Sequence, residues 1–438
     1  MRSEVLLALS QPGAAAVEAN LRVIISLRTD EPATALTLPA LKQEVAEKQA
    51  SVLADLAPAE FTVSRQYDAV PAIAGAVSAA GLAKLARHPD VASVEIDGKL
   101  EGTLGESVPL IDADDVHNGV APAPPGGLTG AGVQVAVIDT GVYTGHADLS
   151  DGDILSEQCF LNIATTGPCP ANGLSSCGGA GCAADDNGHG THVTGIITSC
   201  GNVPLPCAGS PGLEGVAPDA EIHAYKVLNA ASSGDFSDTL AALNHIIAAR
   251  PDVDLINMSL GSTFGTYMPG NCDGYAIATA INILRARGTT TVIASGNDGM
   301  KFAMDFPACV STAISVGMTY DVTWVSYGWG SVPCTDSPAT VNTVACASNS
   351  DRSLDVVAPG VDIDSLSIVC STCTTIMSGT SMATPHVVGV MALKLEQSPA
   401  FSPDQLEYCV ESSGSASPVD PGNGIGRPLV MGRPSVPR

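Results

Sequence analysis

From residue 132 onwards, short runs of Val, Ile, Ala and Leu alternate with segments whose apolar residues recur every three or four positions. The first pattern reads as buried strand and the second as helix. Predicted strands are GVQVAVID (132–139), EIHAYKVL (221–228), DLINMSL (254–260), TTVIASGN (290–297), AISVGMT (313–319) and LDVVAPG (354–360). Predicted helices cover 189–199, 238–250 and 274–288, with a last one inside 378–396, where Val387, Val390, Met391 and Leu395 share a face. Strands alternating with helices predict an α/β fold, a three-layer arrangement with a parallel sheet covered on both faces. Ligand sites in such sheets form at the carboxyl ends of strands. Asp139, Ser259 and Asn297 each close one of these runs.

The N-terminal part follows a different order. RVIISLR (22–28), FTVSRQY (61–67), VPAIAGAVS (70–78) and VASVEI (91–96) read as strands, and 41–56 and 81–88 as helices. Leu41, Val45, Val52 and Leu56 lie on one side of the first helix. Strand–helix–strand–strand–helix–strand is the order of the small ferredoxin-like α+β unit. A Gly-rich polar stretch, 97–110, is predicted as a linker. Residues 1–19 make a poor signal peptide, with a five-residue apolar run and Glu4 in the charged region, and are predicted as a leader remnant. The domain expectation is therefore 1–19, 20–104 and 105–438.

Composition narrows the function. A net charge of −26 excludes nucleic acid as a partner, because phosphate binding needs a positive surface. No run approaches the ~18 apolar residues of a membrane helix, so no membrane partner is expected. All 13 cysteines fall between Cys159 and Cys409 without a paired CxxC zinc pattern, which predicts disulfides and an oxidising, extracellular location. Spacing suggests Cys200–Cys207 and Cys334–Cys346 as short staples, Cys272–Cys309 as a longer one and Cys370–Cys373 as a tight one. The odd count leaves at least one thiol over. The cysteine-rich stretches 159–182, 200–214 and 321–350 are expected to be surface insertions.

Three polar residues carry candidate chemistry. In SGTSMATPHVVGVMALKLE (378–396), Ser381 sits among small residues where a loop becomes a helix, with Pro385 expected in the first turn. It is either a helix cap or a nucleophile aided by free N–H groups and the helix dipole. Asp139 ends a strand before Thr140-Gly141. An aspartic protease would need a second such carboxylate, and no second DTG or DSG is present. His189 lies between Gly188 and Gly190 at a helix start, exposed as a general base would be. A metal reading of His189 and His192 fails for want of the HExxH pattern and its glutamate. His192 is expected to pack inside the helix.

Asp139, His189 and Ser381 supply orienter, base and nucleophile in the chain order Asp, His, Ser, the order given for subtilisin. VAVIDTG, HGTHVTG and GTSMATPHV resemble the three active-site blocks of the subtilisin-like serine proteases, and the unit at 20–97 resembles their inhibitory propeptide. The resemblance implies a subtilisin-like parallel sheet preceded by a propeptide domain, and a secreted endopeptidase made as a zymogen. It implies that Ser381 attacks the scissile carbonyl, His189 takes its proton and Asp139 orients His189. Asn297 and the Ser381 N–H would form the oxyanion hole, each donor worth roughly 3–4 kcal/mol in the transition state. Ser259, Leu260, Gly261, Ser295 and Gly296 would line the pocket for the residue before the cut. Ser232, Ser233 and Gly234 would pair with substrate backbone, and Phe236 would wall a more distant pocket.

The same resemblance places self-processing near Leu104–Gly105, and Leu104 before the cut suggests an apolar specificity pocket with Asp305 turned to solvent; the other reading is that Asp305, in MDFPA (304–308), lines that pocket and favours a basic or polar residue. Expected partners are protein or peptide substrates and the chain's own propeptide, and the expected state is a monomer. No cofactor is expected for catalysis. Asp148 matches a calcium ligand of the family and Glu106 is a further candidate, but loop 200–214 is enlarged and carries two cysteines, so a structural calcium stays unassigned. The competing expectation is a catalytically silent family member that binds or scaffolds.

Overall fold

Four strands and two helices make up the described part of residues 21–96: β1 (Leu21–Leu27), α1 (Leu38–Ala54), β2 (Phe61–Gln66), β3 (Ala72–Val77), α2 (Ala79–Leu85) and β4 (Val91–Ile96). The strands pair antiparallel in the order β2-β3-β1-β4. Val23, Ile25, Val52, Ile73 and Leu85 form their core. Ser78 caps α2 by accepting the Gly81 N–H at 3.2 Å, which satisfies one of the orphan donors at a helix start. This computed structural model describes residues 21–30, 38–66, 71–96, 104–119, 126–150, 152–201, 213–262, 267–330, 332–414 and 418–432. The predicted leader, 1–19, lies outside them. The chain divides into two units, Met1–Glu101 and Gly102–Arg438.

The larger unit is built on an eight-stranded sheet. Its strands are β5 (Gln134–Asp139), β6 (Ile154–Phe160), β7 (Ser176–Gly178), β8 (Glu221–Lys226), β9 (Leu255–Met258), β10 (Thr290–Ala294), β11 (Ile314–Thr319) and β12 (Val356–Pro359), in the order β12-β11-β10-β9-β5-β8-β6-β7. All neighbours are parallel except the antiparallel edge pair β6–β7. Successive residues of β5 supply the two faces. Val135 and Val137 pack with α3 (His189–Thr198) and α6 (Thr380–Gln397). Ala136 and Ile138 pack with α4 (Phe236–Ala249) and α5 (Ala276–Ala286). Strands covered on both faces need no polar alternation, which is why they read as continuous apolar runs. A last helix, α7 (Pro403–Ser413), opens on a capping box of Ser402 and Gln405 that the strand-and-helix pattern did not predict.

Four expectations need correction. The second half of the predicted linker is helical over Leu104–Leu110 and runs on into the core, with Val108 and Ile111 buried. Ser107 there lies 2.9 Å from His386 Nε2. Because His386 Nδ1–H donates to the Met382 carbonyl, Nε2 accepts from Ser107, and this pair ties the segment to α6. Second, α6 is buried around its whole girth rather than along one face. Its other side carries small residues, and a Cβ at Gly389 would come 2.5 Å from Val216 Cβ. Third, Pro385 lies inside α6, beyond its first turn. Fourth, the stretch 159–182 contributes the end of β6 and the edge strand β7 rather than a loop alone.

Disulfides join Cys159–Cys169, Cys177–Cys182, Cys272–Cys309, Cys334–Cys346 and Cys370–Cys373. Cys200 is disulfide-bonded, and Cys207, its expected partner, lies outside the described residues. Cys409 is a buried thiol. Among the described residues no helix is long and apolar enough to cross a membrane.

Candidate active site

The carboxyl ends of β5, β9 and β10 and the start of α6 surround one cavity of about 330 Å³. It is lined by His189, Ser259, Leu260, Gly261, Gly296, Asn297, Asp305 and Ser381, among others. Each arrives by a different local device.

Asp139 is the last residue of β5 and is fully buried. Its Oδ1 accepts the Thr140 N–H at 2.7 Å and His189 Nδ1–H at 2.7 Å. That bond puts the His189 proton on Nδ1 and leaves Nε2 as the acceptor facing outward. His189 opens α3 after Gly188, whose φ of 107° suits glycine. Gly190 lets the helix sit hard against β5, because a Cβ there would come 2.2 Å from the Gly141 carbonyl. Asp185 secures the same helix start. It accepts the N–H groups of Asn187, Gly188 and Thr191, and the Thr140 hydroxyl at 2.9 Å. Thr140 in turn accepts the Gly190 N–H at 2.8 Å.

Burial pulls the His189 pKa down. The Asp139 charge, the hydrogen bond to it and the charge of Asp185 outweigh that pull, leaving the pKa above its ordinary 6.5. His192, one turn on, is fully buried, and its Nε2–H is shared between the Ile363 and Thr375 carbonyls at 3.0 Å each. Burial, then the nearby His189, pushes its pKa down to about 3, so His192 is a neutral packing residue.

Ser381 is the second residue of α6. Pro385 has no N–H to offer the carbonyl four residues before it, so the Ser381 carbonyl is released from the helix ladder. The Ser259 hydroxyl takes it at 2.7 Å. The Ser381 hydroxyl in turn donates to the Ser259 carbonyl at 3.2 Å, so in this structure it points at β9 rather than at His189. The Ser381 N–H has no acceptor among the described residues. Asn297 is oriented by its oxygen, which accepts the Thr380 N–H at 2.7 Å and the Thr380 hydroxyl at 3.1 Å. Its Nδ2 is thereby left to the cavity.

The remaining predicted site residues separate into three places. Leu260, Gly261 and Gly296 line this cavity together with Ser232. Ser232, Ser233, Gly234 and Phe236 line an adjoining cavity of about 370 Å³, which shares Leu228, Gly261 and Ser262 with the first. The Phe236 ring stands edge-on to Phe306 with centroids 5.1 Å apart. Ser295 lines neither cavity. It is fully buried and its hydroxyl holds the Asn349 carbonyl at 2.8 Å, so its role is support. Asp305 is also displaced from expectation, being 6% exposed and part of the cavity lining rather than turned to solvent.

Two supporting groups escaped sequence reasoning. Asp185 carried a signal, since the run Asp185-Asp186-Asn187-Gly188 is Asx-turn chemistry before a helix. Lys226 carried none; it ends β8 fully buried, with Nζ 2.6 Å from both the Thr140 carbonyl and Asp186. The calcium site expected around Asp148 falls largely outside the described residues. Most of loop 200–214 and the Glu106 side chain lie outside what is described, and among the described residues the one cluster of three ligand-type groups is Asp355, Glu407 and Glu411.

The profile of the Subtilase family matches residues 130–425. An alkaline protease of Alkalihalobacillus alcalophilus is 30% identical over 411 residues, spanning 93% of this chain and 90% of its own length. M-protease of Shouchella clausii (strain KSM-K16) is 31% identical over 93% of this chain and 89% of its own length. Subtilisin Savinase of Lederbergia lenta is 34% identical over 66% of this chain and 86% of its own length. Among solved structures, a cold-adapted subtilisin-like serine proteinase superposes with a TM-score of 0.52 at 25% identity, over 70% of this chain and 90% of that one. These matches, over a chain whose sheet gathers Asp139, His189 and Ser381 at one cavity, establish that it belongs to the subtilase family and is a subtilisin-like serine endopeptidase.

Proposed function

We propose that the chain hydrolyses peptide bonds in proteins through an acyl-enzyme on Ser381, with His189 as base, Asp139 as its orienter and Asn297 as oxyanion donor. The observation that carries this is the 2.7 Å bond from His189 Nδ1 to the buried Asp139, on the rim of the cavity holding Ser381 and Asn297. A rotation about the Ser381 Cα–Cβ bond brings its hydroxyl from the Ser259 carbonyl towards His189 Nε2. Such bonds are commonly long or absent before substrate binds. Nε2 then takes the hydroxyl proton as Oγ attacks the substrate carbonyl, and Asp139 stabilises the imidazolium. The developing oxyanion meets two donors with no other acceptor, Asn297 Nδ2 and the Ser381 N–H, at the positive end of α6. His189 returns its proton to the leaving amine, and water repeats the cycle to release the acyl group. These steps need proton transfer and an oxyanion site, so no cofactor is assigned to catalysis.

The unit at 21–96 acts in this reading as a ferredoxin-like propeptide that assists folding and inhibits the site until it is cut away. Its strand order and all-antiparallel pairing support that role. The bond expected to be cut, Leu104–Gly105, opens a short helix, so cleavage there requires its first turn to unwind. Five disulfides among the described residues suit a secreted enzyme, and a monomer is the state expected of it. In the alternative, a catalytically silent binding protein, the Ser381 hydroxyl would keep its bond to the Ser259 carbonyl throughout. Intact-mass analysis separates the two: wild type loses its N-terminal unit and cleaves casein, whereas Ser381→Ala stays full length and inert. Equal processing of both proteins, with no casein cleavage by either, would establish the silent reading.

A further inference from the structure

One carboxylate in the active-site cavity has no part in the chemistry just described. Asp305 ends the two-residue strand Met304–Asp305 and is 6% exposed. Its Oδ1 accepts from Asn349 Nδ2 at 3.1 Å, and among the described residues no other side chain donates to it. Asn349 is itself pinned, its own oxygen accepting the Asp298 and Met300 N–H groups at 3.0 and 2.9 Å. The direction of Oδ2 follows from two glycines. A Cβ on Gly296 would lie 2.3 Å from Oδ2 and one on Gly261 3.1 Å from it. Both glycines line the cavity with Ser381 and Asn297, so the carboxylate faces the interior of that cavity through walls that carry no side chain. The charged group facing it is Asp298, of like sign, and the other polar group packed on it is the neutral Asn349 amide. A buried carboxylate without a cationic neighbour is costly. A substrate cation relieves that cost at the moment of binding.

We propose that Asp305 is the specificity-determining residue of this cavity, selecting lysine or arginine as the substrate residue whose carbonyl is attacked. The proposal rests on Ser381 being the nucleophile. With that carbonyl held between Ser381 Oγ and Asn297 Nδ2, the side chain enters past Leu260 and Ala294. There a long aliphatic stem finds apolar contact while its charged head reaches Asp305. Burial, then repulsion from Asp298, raises the Asp305 pKa to about 7. The carboxyl group therefore ionises within the working range of a protease, and the preference for a cation strengthens as pH rises.

The test uses matched peptides that differ only in that residue (Lys, Arg, Gln or Leu), cleaved by the matured enzyme from pH 5.5 to 8.5. Taking the Lys/Leu ratio of kcat/KM cancels the His189 titration, which affects all substrates alike. The expected ratio is at least tenfold at pH 8.5, falling several-fold by pH 5.5. Asp305→Asn is expected to lose the pH-dependent part of the ratio, chiefly through KM for the cationic peptides. A wild-type ratio below one at pH 8.5, or a ratio flat with pH and unchanged in Asp305→Asn, overturns the proposal. The wild-type profile stands even if the variant misfolds. A fluorophosphonate probe run alongside keeps the two readings apart. A labelled Ser381 with an indifferent ratio refutes the pocket alone, and an unlabelled, inactive enzyme refutes both.

Discussion

Replacing Asn297 in two ways separates what its amide does for catalysis from what it does for the fold. Its oxygen accepts the Thr380 N–H and hydroxyl at 2.7 and 3.1 Å, and its nitrogen is the group left to the cavity. Asn297→Ala removes both functions. The lost donor costs about 10²–10³-fold in kcat, or roughly 3–4 kcal/mol of transition-state stabilisation. The buried Thr380 N–H also loses its acceptor, which adds about 1–3 kcal/mol of lost stability. Asn297→Asp keeps the acceptor and replaces the donor by a charged oxygen beside the developing oxyanion. It should hold the melting temperature near wild type while lowering kcat at least as far as alanine does. The assay is kcat and KM on one peptide with a calorimetric scan of each protein. KM should change little, because the donor acts on charge that exists only in the transition state. If Asn297→Asp keeps more than a tenth of the wild-type kcat, the oxyanion assignment is wrong.

Three further outcomes follow from the same geometry. Because His189 must be neutral to act and its pKa is raised, kcat/KM should rise with pH through a midpoint above 6.5; Asp139→Asn should lower that midpoint and cut kcat by about 10⁴-fold, and an unmoved midpoint would contradict the pairing. Burial, with the charges of Glu407 and Glu411, raises the Asp355 pKa to about 7, so the folded chain holds this proton more tightly than the unfolded chain and stability falls as pH rises towards 7. Asp355→Asn should therefore raise the unfolding free energy at pH 8 by about 1–2 kcal/mol, seen as a higher melting temperature, and leave it unchanged at pH 4; a loss at pH 8 would refute this. If Asp305 selects cations, self-processing should follow Lys99, the one basic residue between Ile96 and the helix Leu104–Leu110, and N-terminal sequencing should find Leu100 first. A mature chain beginning at Gly105 would instead support an apolar pocket.

The sheet and the three groups proposed to react were legible because each is marked locally. Asp139 closes an unbroken apolar run, His189 sits between glycines at a helix start, and Ser381 sits in a run of small residues. The contacts that aim them were not legible, since they join distant segments. Ser259 and Ser381 exchange hydroxyl-to-carbonyl bonds, an arrangement opened by Pro385 lying deeper in α6 than its sequence setting implied. The depth of α6 was hidden because Ala383, Gly389 and Ala392, too small to register as an apolar face, still pack against the core. The direction of Asp305 depends on what Gly261 and Gly296 lack, and a missing side chain is informative only once the walls are in place. The helix at Leu104–Leu110 is hidden in a Gly-rich polar stretch; Gly105 and Pro109 are poor helix formers, and burial of Val108 and Ile111 overrides that preference.

The central claim is that Ser381 is a nucleophile activated by His189. Peptide mapping after reaction with a fluorophosphonate tests it most directly. The predicted result is one adduct, on Ser381, forming faster as pH rises through the His189 titration and falling to background in His189→Ala. An adduct elsewhere, or none on Ser381 in the matured and folded protein, would contradict it.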